Sequence, residues 1–214
     1  LALLAGPLPD WDYWFILGSV IDEEGFTSDL SAWLRPQNEH FLICTRLIYA
    51  LNVLLSGGHN VGLALWAWAA ALAQGLLLLW LVRRTLFGAP ALHLLLALTI
   101  GLLVFSPRGW HNWLMGMSGV AWITANLCTL AALTALYRST LSASVPWLVA
   151  SLGWGMLASA TYSTGSGVWP ALVVLALLLR LPPKRLAAVV LSAALVVAAY
   201  AALYERPAQH PELQ

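Results

Sequence analysis

From residue 61 onward the chain alternates long apolar runs with short polar breaks. The runs cover 61–82, 91–105, 118–137, 145–160, 168–179 and 186–203. A stretch of about 20 apolar residues crosses the hydrocarbon core of a bilayer. Each run therefore predicts a membrane helix. Residues 1–6 read as the end of a further apolar helix, mostly missing, stopped by Pro7 and Pro9. The expected fold class is all-α: a polytopic transmembrane helix bundle of about seven helices, in a single domain over 1–214.

Residues 10–46 break this pattern. Two short interfacial helices are expected there, in a first outer loop. One runs over 12–21, where Trp11, Tyr13, Trp14 and Phe15 suit the headgroup level. The other ends at Leu34, before Pro36, with Ser28 or Asp29 as its cap. Asp22-Glu23-Glu24-Gly25 between them reads as a turn. Residues 38–56 form a moderately amphipathic segment. Asn38, Thr45, Tyr49, Asn52 and Ser56 share one side of a helical wheel, with Glu39 and Arg46 beside them. Such a helix lies in the interface or lines a polar cavity.

Charge orients the bundle. Arg83-Arg84, Arg138 and Arg180/Lys184/Arg185 end successive runs, and positive loops stay cytoplasmic. Parity then places the 10–39 loop, His59, the 106–119 loop and the 161–170 loop on the outer side. The segment 38–56 must stay in the plane, or that parity fails. The domain thus divides into 1–60, the end of a first helix plus the outer loop, and 61–205, six membrane helices. Residues 168–179 are too few to cross alone, so part of TYSTGSG must extend that helix or fold back along a cavity. Localisation in the inner (plasma) membrane, multi-pass, is expected.

Composition agrees, at 61% hydrophobic and 9% charged. The net charge of +1 supplies no basic patch for nucleic acid. Cys44 and Cys128 offer neither a disulfide framework nor metal-ligand spacing. Seven of the nine Asp and Glu residues lie between Asp10 and Glu39, and none follows until Glu205.

Candidate chemistry gathers in that acidic stretch. Asp10 and Asp12 could hold a divalent cation, magnesium or manganese, or one could act as a base; a solvated acidic loop is the plain alternative. Asn38, Glu39 and His40 form a second polar unit, with His40 an acid or base or a surface residue. Arg46 could hold a phosphate, since guanidinium matches phosphate oxygens in a fork; the alternative is a snorkelling side chain paired with Glu39 or headgroups. Arg108, His111 and Asn112 face the same side in the predicted topology, in a loop anchored by Trp110 and Trp113. Two stripes, Ser118/Trp122/Asn126/Thr129 and Ser151/Gly155/Ser159, read as helix-packing features.

The ordered motifs resemble a family. An Asp/Trp segment follows the first helix. NEHxxxxxR then runs from Asn38 to Arg46, SPRxWxNWLxG from Ser106 to Gly116, and TYSxxxGxWP from Thr161 to Pro170. This resembles bacterial membrane proteins of the GT-C glycosyltransferase superfamily. Phe41 stands where the family's pattern has arginine, and His111 where it has glutamate. The resemblance implies sugar transfer from a polyprenyl-phosphate donor to an acceptor at the outer membrane face. It also implies that Asp10 or Asp12 is the base or metal-binding acid, and that Arg46, with Arg108, holds the lipid phosphate. The alternative function is non-enzymatic: a transporter, or a scaffold for lipid-linked sugars.

Overall fold

In a computed structural model the described residues are 6–9, 11–37, 40–86, 88 and 90–204. They are overwhelmingly helical. The helices are α1 (Trp11–Gly18), α2 (Leu30–Leu34), α3 (Ile43–Ser56), α4 (Asn60–Thr85), α5 (Pro90–Val104), α6 (Trp110–Leu114), α7 (Gly116–Leu141), α8 (Val145–Thr161), α9 (Val168–Leu178) and α10 (Pro183–Leu203). Two 3-10 turns, Pro107–Gly109 and Ser163–Gly167, lead into α6 and α9. All six apolar runs became helices. Three of them, α4, α7 and α10, are long and apolar enough to cross a membrane. At about 1.5 Å per residue, α5 and α8 reach only about 22–26 Å.

The amphipathic loop folds largely as its residues dictate. Asp29 caps α2, its carboxylate accepting from the Ser31 N–H at 2.8 Å and the Ser31 hydroxyl at 2.7 Å. Those two bonds hold the Asp29 carboxyl below its ordinary pKa. The acidic turn closes a small antiparallel hairpin, β1 (Ile21–Asp22) on β2 (Gly25–Phe26). Tyr13 corrects the interfacial expectation: it is fully buried, its ring 4.7 Å from that of Tyr49. Trp14 and Phe15 stay exposed.

Segment 38–56 yields the helix α3, and its polar side turns inward. Thr45, Arg46, Tyr49 and Asn52 are buried, while Leu54 and Leu55 are 71% and 78% exposed. Of the two options its pattern allowed, α3 takes the one that lines a cavity. Its outer side is apolar, as a lipid-facing side must be.

The core is built from small residues. Ala64, Ala67, Ala71, Ala132 and Ala135 are among its most buried members. Between lipid-covered helices, small side chains let backbones approach and gain dispersion contacts. Near the start of α7 its glycines allow a close approach to α4 and α6. A Cβ at Gly116 would strike Leu63 and the Ala64 backbone, and one at Gly119 would strike Asn112 and Ala67. The Ser151/Gly155/Ser159 stripe also does structural work. The Ser151 hydroxyl donates to the Ala132 carbonyl at 2.8 Å, and Trp169 Nε1 donates to the Ser159 hydroxyl at 2.9 Å. Across α10, the Tyr200 hydroxyl donates to the Ser159 carbonyl at 2.6 Å.

Candidate functional site

One rim of the bundle is drawn together by polar side chains. The Asn60 amide donates to the Gly6 and Leu114 carbonyls at 3.1 and 2.8 Å, and its oxygen accepts from the Gly116 N–H at 3.0 Å. The Thr45 hydroxyl donates to the Thr161 carbonyl at 2.7 Å, and the Tyr49 hydroxyl to the Met117 carbonyl at 3.1 Å. The start of α1, the α3–α4 turn, the start of α7 and the end of α8 therefore meet at one end. These are segments that charge parity had assigned to one side.

A cavity of about 210 Å³ opens at this end. Drug-sized ligands occupy roughly 300–1,000 Å³, so there is room for one ring and little more. Its polar lining includes Asp12, Gln37, His40, Thr45, Ser118 and Tyr162. Phe15, Tyr49 and Trp122 add aromatic surface. Asp12 is exposed, on the first turn of α1. Trp122 and Tyr162 lie with ring centroids 4.7 Å apart.

His40 is the best-held group in the cavity. Its backbone pairs with Gln37 through two bonds of 2.9 Å. Its Nδ1 lies 2.6 Å from the Ser163 hydroxyl and its Nε2 3.1 Å from the Tyr162 hydroxyl. The imidazole also stacks on the Tyr162 ring at 4.3 Å. An imidazole fixed at both nitrogens has a defined orientation, as acid–base work requires. The partners come from the 3-10 turn after α8. TYSTGSG thus lengthens the helical run to Leu178, supplies Tyr162 to the cavity lining and places Ser163 against His40.

The other expected site residues are distributed differently. Asp10, Asn38 and Glu39 lie outside the described residues. Arg46, expected at a lipid phosphate, is 1% exposed and does not line the cavity. One of its terminal nitrogens donates to the carbonyls of Trp33, at 3.1 Å, and Arg35, capping the end of α2. Burial forces the guanidinium to find acceptors, and the exposed carbonyls of a helix end provide them.

Arg108, His111 and Asn112 also stand apart from the cavity. Arg108 is exposed, and His111 Nδ1 lies 3.2 Å from the Met115 sulfur. The loop is anchored unequally. Trp113 packs against Trp68 and Phe105 with centroids at 5.0 and 5.9 Å, whereas Trp110 is 52% exposed. Among the described residues no group of three His, Cys, Asp or Glu could hold a metal ion, and both cysteines are free.

Several cavity residues were not singled out from the sequence as candidates for chemistry. Tyr162 and Ser163 sit beside the TYS motif's threonine but 122 and 123 residues from His40. Ser118 and Trp122 were assigned to packing. Their spacing of four did put them on one helix face, and that face lines the cavity.

A second, apolar groove of about 190 Å³ lies on the other side of the 40–45 segment. It is lined by Leu34, Phe41, Ile43, Met156, Tyr200 and Leu203, among others. Phe41, which replaces the arginine of the resembling pattern, is buried there, its ring 4.3 Å from that of Tyr200. His40 and Phe41 thus face a polar cavity and an apolar groove respectively.

The geometry defines an α-helical protein with helices fit to cross a membrane and a mixed polar–aromatic cavity at one rim. No protein-family model, curated protein or solved structure matches this chain.

Proposed function

We propose that the protein is a multi-pass enzyme of the inner membrane that transfers a sugar from a polyprenyl-phosphate donor to an acceptor at the outer face. In this reading all the apolar helices cross the bilayer, the shorter ones with the help of their flanking turns. The observation that carries it is the adjacency of two unlike sites across residues 40–45. One is a polar cavity with a carboxylate, a doubly held imidazole and an aromatic wall. The other is an apolar groove beside it. A sugar ring offers hydroxyls to the polar lining and C–H faces to Trp122 and Tyr162. A prenyl chain suits the groove.

Asp12 takes the proton from the acceptor hydroxyl. The acceptor oxygen forms its bond to the anomeric carbon as the bond from that carbon to the phosphate oxygen breaks, and the electron pair leaves with the phosphate. The Tyr162 hydroxyl, oriented by His40 Nε2, donates a hydrogen bond to the departing oxygens, where negative charge grows in the transition state. Arg46 holds the loop that carries His40, and takes no part in the transfer.

The absence of both arginines from the cavity favours a second reading, a scaffold that binds lipid-linked sugars without transferring them. Purified protein given a polyprenyl-phosphate sugar and a panel of acceptors separates the two. Transfer by the wild type, reduced about 100-fold or more by Asp12→Asn and by His40→Ala, is expected for acid–base catalysis. Binding of donor with no turnover in the wild type leaves the scaffold reading. Undiminished turnover in both variants removes the assigned roles.

A further inference from the structure

The opposite end of the bundle carries a second site. Arg138, near the end of α7, lies with its guanidinium carbon 4.0 Å from the Trp147 ring centroid and 5.5 Å from that of Trp80. Arg84, near the end of α4, approaches Trp80 at 5.9 Å. The rings attract the two cations through their π faces. The N–H donors are another matter. Among the described residues, neither guanidinium donates a hydrogen bond or joins an ion pair. Both side chains are exposed.

No carboxylate is available from the helices themselves, because the sequence has no Asp or Glu between Glu39 and Glu205. Arg185, the nearby third arginine, is already satisfied by the carbonyls of Ser139 and Ala143. Two cations thus flank a cavity of about 370 Å³ lined by Trp80, Arg84, Tyr137, Arg138, Ser142 and Trp147. Charge and donors there await an anion from outside.

The cavity continues along the bundle. A groove of about 300 Å³ shares Trp80, Arg138 and Trp147 with it, then runs past Leu77, Ala131 and Trp154. From Arg138 back to Ala131 is about 10 Å along α7, toward the middle of the helices. Its walls there are apolar. An anion with a hydrocarbon tail fits both parts, and a free anion fits one.

We propose that this end binds an anionic phospholipid, the phosphate meeting Arg84 and Arg138 and an acyl chain lying along α4, α7 and α8. Basic pockets between helices recognise such headgroups, and anionic lipid is enriched where positive loops reside. The site is separate from the His40 cavity and stands whether or not sugar transfer is observed.

The test uses the purified full chain in a neutral detergent. Thermal unfolding is followed while phosphatidylglycerol, phosphatidylcholine or inorganic phosphate is titrated in. Phosphatidylglycerol is expected to stabilise the protein at lower concentration than phosphatidylcholine, and inorganic phosphate to have no effect. Arg84→Gln and Arg138→Gln should each weaken the phosphatidylglycerol response about fivefold, the value of one basic residue near an anionic lipid surface. Arg138→Lys, which keeps the charge, should retain most of it. If Arg138→Gln fails to fold, Arg84→Gln and Arg138→Lys decide the matter. Equal stabilisation by the two lipids, or an unchanged response in Arg84→Gln, overturns the proposal. Stabilisation by inorganic phosphate alone also overturns it, in favour of a site for a soluble anion.

Discussion

At the rim that carries the cavity, Arg46 is buried and one of its terminal nitrogens reaches the backbone carbonyls that end α2, while its Nε has no acceptor among the described residues. At the opposite rim, Arg138 is exposed, held by the faces of Trp80 and Trp147, with no acceptor for its edges among the described residues. Both are arginines beside helix ends in an apolar protein. One is buried and tied to the backbone, and the other is exposed beside a cavity. The difference comes from what surrounds them. The end of α2 brings the Trp33 and Arg35 carbonyls to Arg46, whereas the ends of α4 and α7 and the start of α8 bring indole rings to Arg138.

The largest expected effect comes from breaking the first of these arrangements. Arg46→Met should destabilise the protein by about 3 kcal/mol, since it strands two carbonyls in a buried site. Arg138→Met removes only exposed cation–π contacts and should cost about 1 kcal/mol. Thermal unfolding of both variants in the same detergent measures the contrast. Equal losses would mean that the two arginines are used alike.

The next effect concerns the helix crossing that holds the cavity rim in place. Gly116→Val drives a branched side chain into Leu63 and the Ala64 backbone, and overpacking of this kind costs about 2–3 kcal/mol. Gly153→Ala on α8, where an added Cβ meets nothing, should be neutral or slightly stabilising. An unfolding scan comparing the two tests whether close approach, rather than glycine as such, matters at Gly116.

The smallest effect is local and electrostatic. Asp29 is held below its ordinary pKa by Ser31, so its contribution is present above the unfolded carboxylate's pKa. It is lost as the pH falls through the lower folded value. Acidification should therefore fray α2 before it affects the helix core, as increased amide exchange at Ser31 and Ala32. In Asp29→Asn that acid-side fraying should lose its pH dependence.

The helices were legible because hydrophobic length is a local property. Run 61–82 became α4 over Asn60–Thr85, and run 186–203 became α10 over Pro183–Leu203. The cap at Asp29 and the turn before Gly25 were readable for the same reason. The polar stripe on α3 was readable as a stripe but its direction was not. A polar face serves equally to meet outside water or to line an inner cavity, and only its neighbours choose. Arg46 was open for a related reason. A lone guanidinium in an apolar chain signals a buried need for acceptors, and the sequence does not say whether ligand or backbone meets it.

By itself the sequence determined that the chain is helical and apolar, which runs form its long helices, and which loops carry charge of each sign. These follow from periodicity, caps and the energy of placing charge near hydrocarbon. Only the tertiary structure decided that His40 meets Tyr162 and Ser163, that Arg46 closes a helix end, and that Arg138 lies between two indoles. Those are contacts between residues far apart in the chain, set by how helices of nearly uniform apolar surface fit together, and no local pattern encodes that fit.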